Sequence, residues 1–261
     1  MRAVTFDCWG TLINDTNLDD TFGIRVDALV EASDGRLSTE GAEEMLRRAW
    51  QEHHRSWVRG VQYGSPGIAK FCVAELAVDD PLICDRLTEA FEEAGRHGSL
   101  EALPGADDTL RTLRNAGLRT ALVCDTGLTP GRVVREFLSE LGLLEHLEFC
   151  AFSNEVGVPK PNAGIFHAAL EAIDTKPDEA AHVGDLLRTD VEGARAIGMK
   201  TVRITAVNDD LATRFSWDPT ASFGSTAKTG NAPVHDIEDA DAVVASHFEL
   251  VDALRALGAS L

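Results

Sequence analysis

After Pro104-Gly105 the sequence alternates between two periodicities, and this alternation restricts the possible folds more than any other feature. Helical patterns at 106–116, 130–141, 162–173 and 189–197 interleave with short apolar runs at 118–124, 148–152, 180–184 and 200–204. Such runs, bounded by turn residues, predict parallel strands covered on both faces by the intervening helices. The chain also opens on a strand candidate, residues 2–6, which the polar turn Asp7-Cys8-Trp9-Gly10-Thr11 ends. The expected fold class is α/β, a Rossmann-like doubly wound parallel sheet.

From 14 to 98 the pattern is helical, with no convincing strand. Ala42, Met45, Leu46, Ala49, Trp50, His53 and Trp57 recur at the three- and four-residue steps of one helix face. Asp80-Pro81 reads as an N-cap with proline at the first helical position, followed by a stripe of Leu87, Ala90, Phe91 and Ala94 that stops at Gly95. The expectation is an all-helical domain, 14–98, inserted into a core made of 1–13 and 99–261. Residues 206–240, rich in Gly, Ser, Thr, Asn and Asp, read as a long surface loop or insertion. A strand at 242–245 and a helix opened by a Ser246/Glu249 capping box close the chain, with Leu250, Ala253, Leu254 and Leu257 on one face.

Composition narrows the partners. A length of 261 residues accommodates one good-sized core plus a satellite element, and no apolar run approaches the roughly 18 residues of a membrane span. A net charge of −19 repels phosphate backbones and anionic lipid, which excludes nucleic acid and membrane surfaces as natural partners. A small anionic substrate stays compatible, because lysine, helix N-termini and a divalent cation reverse the field inside one cleft. Cys8, Cys72, Cys84, Cys124 and Cys150 are odd in number and show no CxxC spacing, against a disulfide framework or a zinc cluster. The first residues carry no secretory pattern, so a cytoplasmic monomer or homodimer is expected.

In an open parallel sheet, ligands gather at the carboxyl ends of the strands. Asp7, then Cys124-Asp125-Thr126-Gly127, then a loop reaching Lys160, then Asp185 follow four successive strand candidates. Two acids, a lysine and hydroxyl donors at neighbouring strand ends suit magnesium and phosphate, since Mg2+ takes a few carboxylates plus substrate oxygens. Phosphoryl transfer requires chiefly such positioning and charge neutralisation.

The order of these segments resembles the haloacid dehalogenase superfamily, mainly phosphate hydrolases with an aspartate nucleophile. Phe6-Asp7-Cys8-Trp9-Gly10-Thr11-Leu12 is similar to its first motif, Val123-Cys124-Asp125-Thr126-Gly127 to the second, Val158-Pro159-Lys160-Pro161 to the third, and Gly184-Asp185-Leu186-Leu187-Arg188-Thr189-Asp190 to the fourth. The resemblance spans nearly the whole chain outside 206–240, and the helical block sits where members with a helical cap carry it. It implies that Asp7 attacks phosphorus to form an aspartyl-phosphate. Mg2+ would be bound by Asp7, the Trp9 carbonyl and Asp185, with Asp190 supporting the metal shell. Lys160 would keep Asp7 ionised and neutralise the transferring group, Thr11 would orient the first loop, and Trp9, Thr11 and Cys124 are the candidate substrate-binding residues, Trp9 walling the leaving-group side. Cys124 and Thr126 stand where the second motif presents its hydroxyl and contacts phosphate.

Two positions depart from the family pattern. Phosphatases of this family usually carry a second aspartate two residues after the nucleophile, where this chain has Trp9; its indole exchanges no proton, so a factor of roughly 10² to 10⁴ from acid–base catalysis is missing unless another group or a good leaving group compensates. The second motif has Cys124-Asp125 for the usual hydroxyl and Asn, and an acid there is unfavourable beside an anion unless it points away. Trp9 also makes the chain similar to 2-haloacid dehalogenases, in which Asp7 would displace halide from carbon without metal, although the GDxxxxD spacing of Asp185 and Asp190 favours a metal site. A third reading is a binding protein that kept the fold and lost proton transfer. The bland expectations are a core role for His182, Trp50 and Trp57, exposed surface for His53 and His54, helix capping by Asp190, packing by Trp9 under the cap, and a buried, unreactive Cys124.

Overall fold

The computed structural model describes residues 1–16, 18–77, 81–208 and 238–261. Its main sheet contains strands β1 (Ala3–Phe6), β4 (Arg119–Cys124), β5 (Phe149–Phe152), β6 (Ala180–Gly184), β7 (Lys200–Ile204) and β8 (Ala242–Val244). They lie in the order β5-β4-β1-β6-β7-β8, and every pairing is parallel. The expected α/β class and doubly wound sheet are therefore present. Chain order reverses at β1, the switch point where open sheets bind ligands.

Successive residues of the strands point to opposite faces, and both faces are buried. Val4, Phe6, Leu122 and Val183 pack with Leu110 of α5 (Ala106–Asn115), Val134 of α6 (Gly131–Glu140) and Leu250 of the C-terminal α10 (His247–Ala256). On the other face Ala3, Ala121, Ala151 and Ala180 let Ile165, Phe166 and Leu170 of α8 (Ala163–Ala172) approach closely, together with Ala194 of α9 (Glu192–Ala196). Large residues on one side and alanines on the other fix which face each helix takes.

Four helices, α1 (Leu18–Ala32), α2 (Thr39–Val58), α3 (Gly64–Glu75) and α4 (Pro81–Ala94), fill the stretch expected to be helical. They share a separate core of Val26, Leu29, Leu46, Ile68 and Phe91, joined by Leu128 from the sheet side. Ser38 caps α2 by accepting from the Gly41 amide at 3.2 Å. Only at its start does the stretch differ from the helical expectation: Asn14 and Asp15 belong to a short antiparallel ribbon, β2 (Ile13–Asp15) paired with β3 (Leu100–Ala102), through which the chain both enters and leaves the helices.

Three further expectations meet the structure differently. Ser246 opens α10 without a side-chain cap, and Glu249 accepts instead from the Ala245 amide at 3.0 Å, so the capping box does not form. The helix expected at 189–197 begins as a π-helical turn, Leu187–Val191, before α9. Asp80, proposed as a cap, and residues 209–237 of the polar 206–240 stretch lie outside the described residues. No described helix is long and apolar enough to cross a membrane.

Leu122 is fully buried in β4 between β1 and β5. Leu122→Ala is expected to cost ~2–5 kcal/mol in urea denaturation; a loss below ~1 kcal/mol would contradict close packing at this position.

Candidate active site

The chain stays in the sheet one residue past β1, because the Asp7 amide donates to the Val183 carbonyl at 2.8 Å. It then turns sharply: the Cys8 carbonyl accepts from the Leu12 and Ile13 amides at 2.9 and 3.0 Å. Gly10 makes this possible with φ +76°, and a Cβ there would lie 2.6 Å from an Asp185 carboxylate oxygen. Asp185 itself follows β6, and a Cβ on Gly184 would overlap the Asp190 carboxyl, so glycine is needed there for Asp190 to fold back over the strand end.

At the centre lies Lys160, whose Nζ donates to Asp7 Oδ1 at 2.5 Å and to Asp190 Oδ1 at 2.7 Å. All three side chains are buried. Asp190 Oδ2 accepts from the Leu186 amide at 3.0 Å, and its Oδ1 is 3.2 Å from His182 Nε2. His182 Nδ1 meets the Thr5 hydroxyl at 2.8 Å. An ionised Asp190 only accepts, so Nε2 carries the ring proton and His182 serves as a neutral prop, the core role expected of it.

Burial pushes the Asp7 carboxyl up to about 7, with the Lys160 ammonium acting against it. For Asp190 burial acts upward too, but the Lys160 charge and the His182 hydrogen bond outweigh it and hold the carboxyl well below the usual range. Asp185 is pushed well above its ordinary value by burial and by the nearby charges of Asp7 and Asp190; Asn208 donates to its Oδ2 at 2.5 Å. One oxygen from each of Asp7, Asp185 and Asp190 lies within 4.8 Å of the others. Three buried carboxylates thus face one ammonium, an arrangement that favours an added cation.

This cluster forms the floor of a cleft of about 530 Å³ between the strand ends and helices α1 and α2. The sequence reading missed several of its features. Trp57 of α2 donates from Nε1 to Asp125 Oδ2 at 2.7 Å, while Asp125 Oδ1 accepts from the Lys160 amide at 2.8 Å. The acid at this position therefore lines the cleft with both oxygens engaged. Arg25 of α1 enters the wall, donating to the Phe91 carbonyl at 3.0 Å; burial brings its guanidinium down to about 10, still charged at neutral pH. His53 is buried in the cleft wall rather than exposed, its Nδ1 accepting from the Gly64 amide at 3.3 Å, and His54 lines the cleft half-buried. Trp50 and Trp57 also face the cleft in addition to packing.

Comparison with known proteins agrees with this geometry. The sequence model of the haloacid dehalogenase-like hydrolase family matches residues 1–198. The chain belongs to the haloacid dehalogenase-like hydrolase family. Within it, the chain is 31% identical to the glyceraldehyde 3-phosphate phosphatase of Methanopyrus kandleri over 78% of this chain and 84% of that protein. It is 36% identical to the bovine (Bos taurus) haloacid dehalogenase-like hydrolase domain-containing protein 3 over 42% of this chain, and this match spans only 43% of the relative's length. The crystal structure of a phosphatase of this family from Thermococcus onnurineus shares the fold, with a TM-score of 0.61 at 23% identity over 97% of this chain and 98% of that one.

Of the residues the sequence singled out, Asp7, Trp9, Thr126, Lys160, Asp185 and Asp190 all line the cleft. The Thr126 hydroxyl is 3.0 Å from Asn154 Oδ1 and 3.1 Å from Ser153 Oγ, contacts that hold it in place. Thr11 and Cys124 are fully buried and are not among the cleft-lining residues, which corrects the expectation that they touch substrate. Thr11 presents its carbonyl to His247 Nε2 at 2.7 Å, inside the fold. Burial and the neighbouring Cys8 push the Cys124 thiol well above its ordinary value, which keeps it an uncharged, inert packing group.

Lys160→Met leaves two buried carboxylates without their counter-charge and is expected to cost ~3–5 kcal/mol of stability in chemical denaturation; a loss within ~0.5 kcal/mol would show that the pair is not desolvated. Burial, with the neighbouring His54 charge, lowers His53 from 6.5 to about 4. The unfolded chain then binds the proton more readily, so this contribution is complete above pH 6.5 and is lost as pH falls toward 4, by about 3 kcal/mol in all. Urea curves at pH 7 and pH 4.5 should show a smaller acid loss for His53→Gln than for the parent protein; equal losses would refute the assignment.

Proposed function

We propose that this hydrolase removes phosphate from a small phosphorylated metabolite, using Mg2+ and Asp7 as nucleophile. The observation that carries this reading is the meeting of Asp7, Asp185 and Asp190 within 4.8 Å beside a single ammonium. Buried oxygens in excess of positive charge suit a hard divalent cation, and the charge of such an ion opposes the upward shift that burial gives Asp7 and Asp185. Asp7, Asp185 and the Trp9 carbonyl are the proposed ligands, with Asp190 supporting them. When bound, Mg2+ neutralises charge on the transferring phosphoryl group.

The chain's own residues supply the rest. Asp7 attacks phosphorus, and Lys160 keeps its carboxylate ionised and aimed while screening the incoming anion. Asp190, propped by His182, holds Lys160 in place. Thr126 is proposed to orient the phosphoryl group, whereas Thr11 and Cys124 act by packing the loops that carry Asp7 and Asp125. Residues 14–98 are proposed as a cap over a core of 1–13 and 99–261, excluding water and selecting substrate. The phosphate ester named for the Methanopyrus relative supports the substrate class.

Trp9 supports a second reading, displacement of halide from a 2-haloacid, because no proton needs to reach a halide. The test is incubation with p-nitrophenyl phosphate and Mg2+. Turnover is expected, falling by roughly 10⁴-fold or more in Asp7→Asn. Mg2+ at about 100 times its Kd should also stabilise the protein by about 2.7 kcal/mol and do so far less in Asp185→Asn. Halide release from 2-bromopropionate without metal would select the second reading. Absence of turnover with any substrate, and of any Mg2+ stabilisation, would leave a binding protein.

A further inference from the structure

The wall of the cleft opposite Asp7 has a composition that the phosphatase reading alone does not explain. Trp50, His53, His54 and Trp57 follow one another on α2 at the spacing of a single helix face, and all four line the cleft. Trp50 and His53 rings lie 4.6 Å apart, and His54 and Trp57 rings 5.6 Å apart. Trp57 is fixed on both sides, by its hydrogen bond to Asp125 and by the Arg188 guanidinium 4.0 Å above its ring. Trp9 adds a third indole from the first loop. The rings are tilted by 33° and 44° within the two pairs, and together with Trp9 they give the cleft an aromatic wall against which an apolar ring can pack.

Among the described residues, the same wall offers little to protonate a departing oxygen. Outside the Lys160 cluster, the described titratable groups facing the cleft are Asp15, Arg25, His53, His54 and Asp125. Burial raises the Asp125 carboxyl, but both of its oxygens accept N–H bonds, which suit the ionised form, and Asp15 shares its field with the Arg25 guanidinium. His53 uses Nδ1 as an acceptor, and burial keeps both histidines neutral at pH 7. An alkoxide leaving group must be protonated as it departs, whereas a phenoxide or similar conjugated anion departs as it is.

We propose that the substrates of this site are phosphate monoesters of planar aromatic alcohols, bound against the α2 stripe and cleaved with the leaving group expelled as its anion. This rests on the reading of Asp7 as a phosphoryl acceptor. In the first step an Asp7 oxygen bonds to phosphorus as the P–O bond to the ring oxygen breaks; the aryloxide keeps the bonding pair and takes its proton from solvent. In the second, water attacks the aspartyl phosphorus, giving inorganic phosphate and a proton to solvent and restoring the Asp7 carboxylate. The leaving group therefore shows in kcat/KM, which reads the first transfer.

The experiment compares kcat/KM for substituted phenyl phosphates, acetyl phosphate and glycerol 3-phosphate at fixed Mg2+, with Trp50→Leu beside the parent protein. Expected are a fall in kcat/KM as the leaving-group pKa rises and glycerol 3-phosphate slower than phenyl phosphates by roughly 10²–10⁴-fold. Trp50→Leu should lower kcat/KM for phenyl phosphate more than for acetyl phosphate, whose leaving group is acidic and carries no ring. Comparable rates for glycerol 3-phosphate and phenyl phosphate would overturn the proposal and point to a proton donor such as Asp15 or Asp125. Equal effects of Trp50→Leu on both substrates would overturn the stacking role. Loss of turnover for every phosphate ester, with no phosphorylated Asp7, would instead remove the underlying phosphatase reading and this proposal with it.

Discussion

The site depends on one buried ammonium. Lys160 holds Asp7 and Asp190 together at 2.5 and 2.7 Å, and neither carboxylate has another full positive charge in hydrogen-bond contact among the described residues. Removing charges from water costs several kcal/mol per ion, so such a pair adds little net stability compared with apolar packing. Its value lies in geometry. A short triangle of charges, braced by His182 and Thr5 beneath, fixes where the Asp7 oxygens point before any ligand arrives.

The fold makes that triangle possible through the reversal of strand order at β1. Four strand ends open onto the same rim, and each supplies one polar loop whose backbone is tied to its neighbours. Asp125 is the clearest case: it holds the Lys160 amide on one oxygen and the indole of Trp57 on the other. The loop that carries the ammonium and the helix that walls the cleft are thus anchored on a single carboxylate, which links the position of α2 to the position of the charge.

Much of this was legible in the sequence, for physical reasons that also mark where legibility stopped. Strands buried on both faces are largely apolar, so residues 3–6, 119–124 and 180–184 announce themselves, and polar residues at their ends stand out. β2 and β3 have three residues each and pair across 85 positions of sequence, which leaves no local period to detect. The π-helical turn arises because Asp190 is drawn back to Lys160, a tertiary pull invisible in helix propensity. Arg25 and Trp57 sit on helix patterns that look ordinary until Asp15 and Asp125 are brought beside them. His53 read as surface because polarity is a poor guide to burial when a backbone amide, here of Gly64, satisfies the ring.

The β2–β3 ribbon has a consequence for how such a protein diversifies. Ile13 stands opposite Ala102 and Asp15 opposite Leu100, so the chain departs from the sheet layer and returns to it at neighbouring points. Everything between can be lengthened, shortened or exchanged as a cassette at the entropic cost of one altered loop, which grows only slowly with length. The register of the six strands is indifferent to what is carried there. The helices can then be exchanged at a single attachment point, provided that the tie from Trp57 to Asp125 is kept.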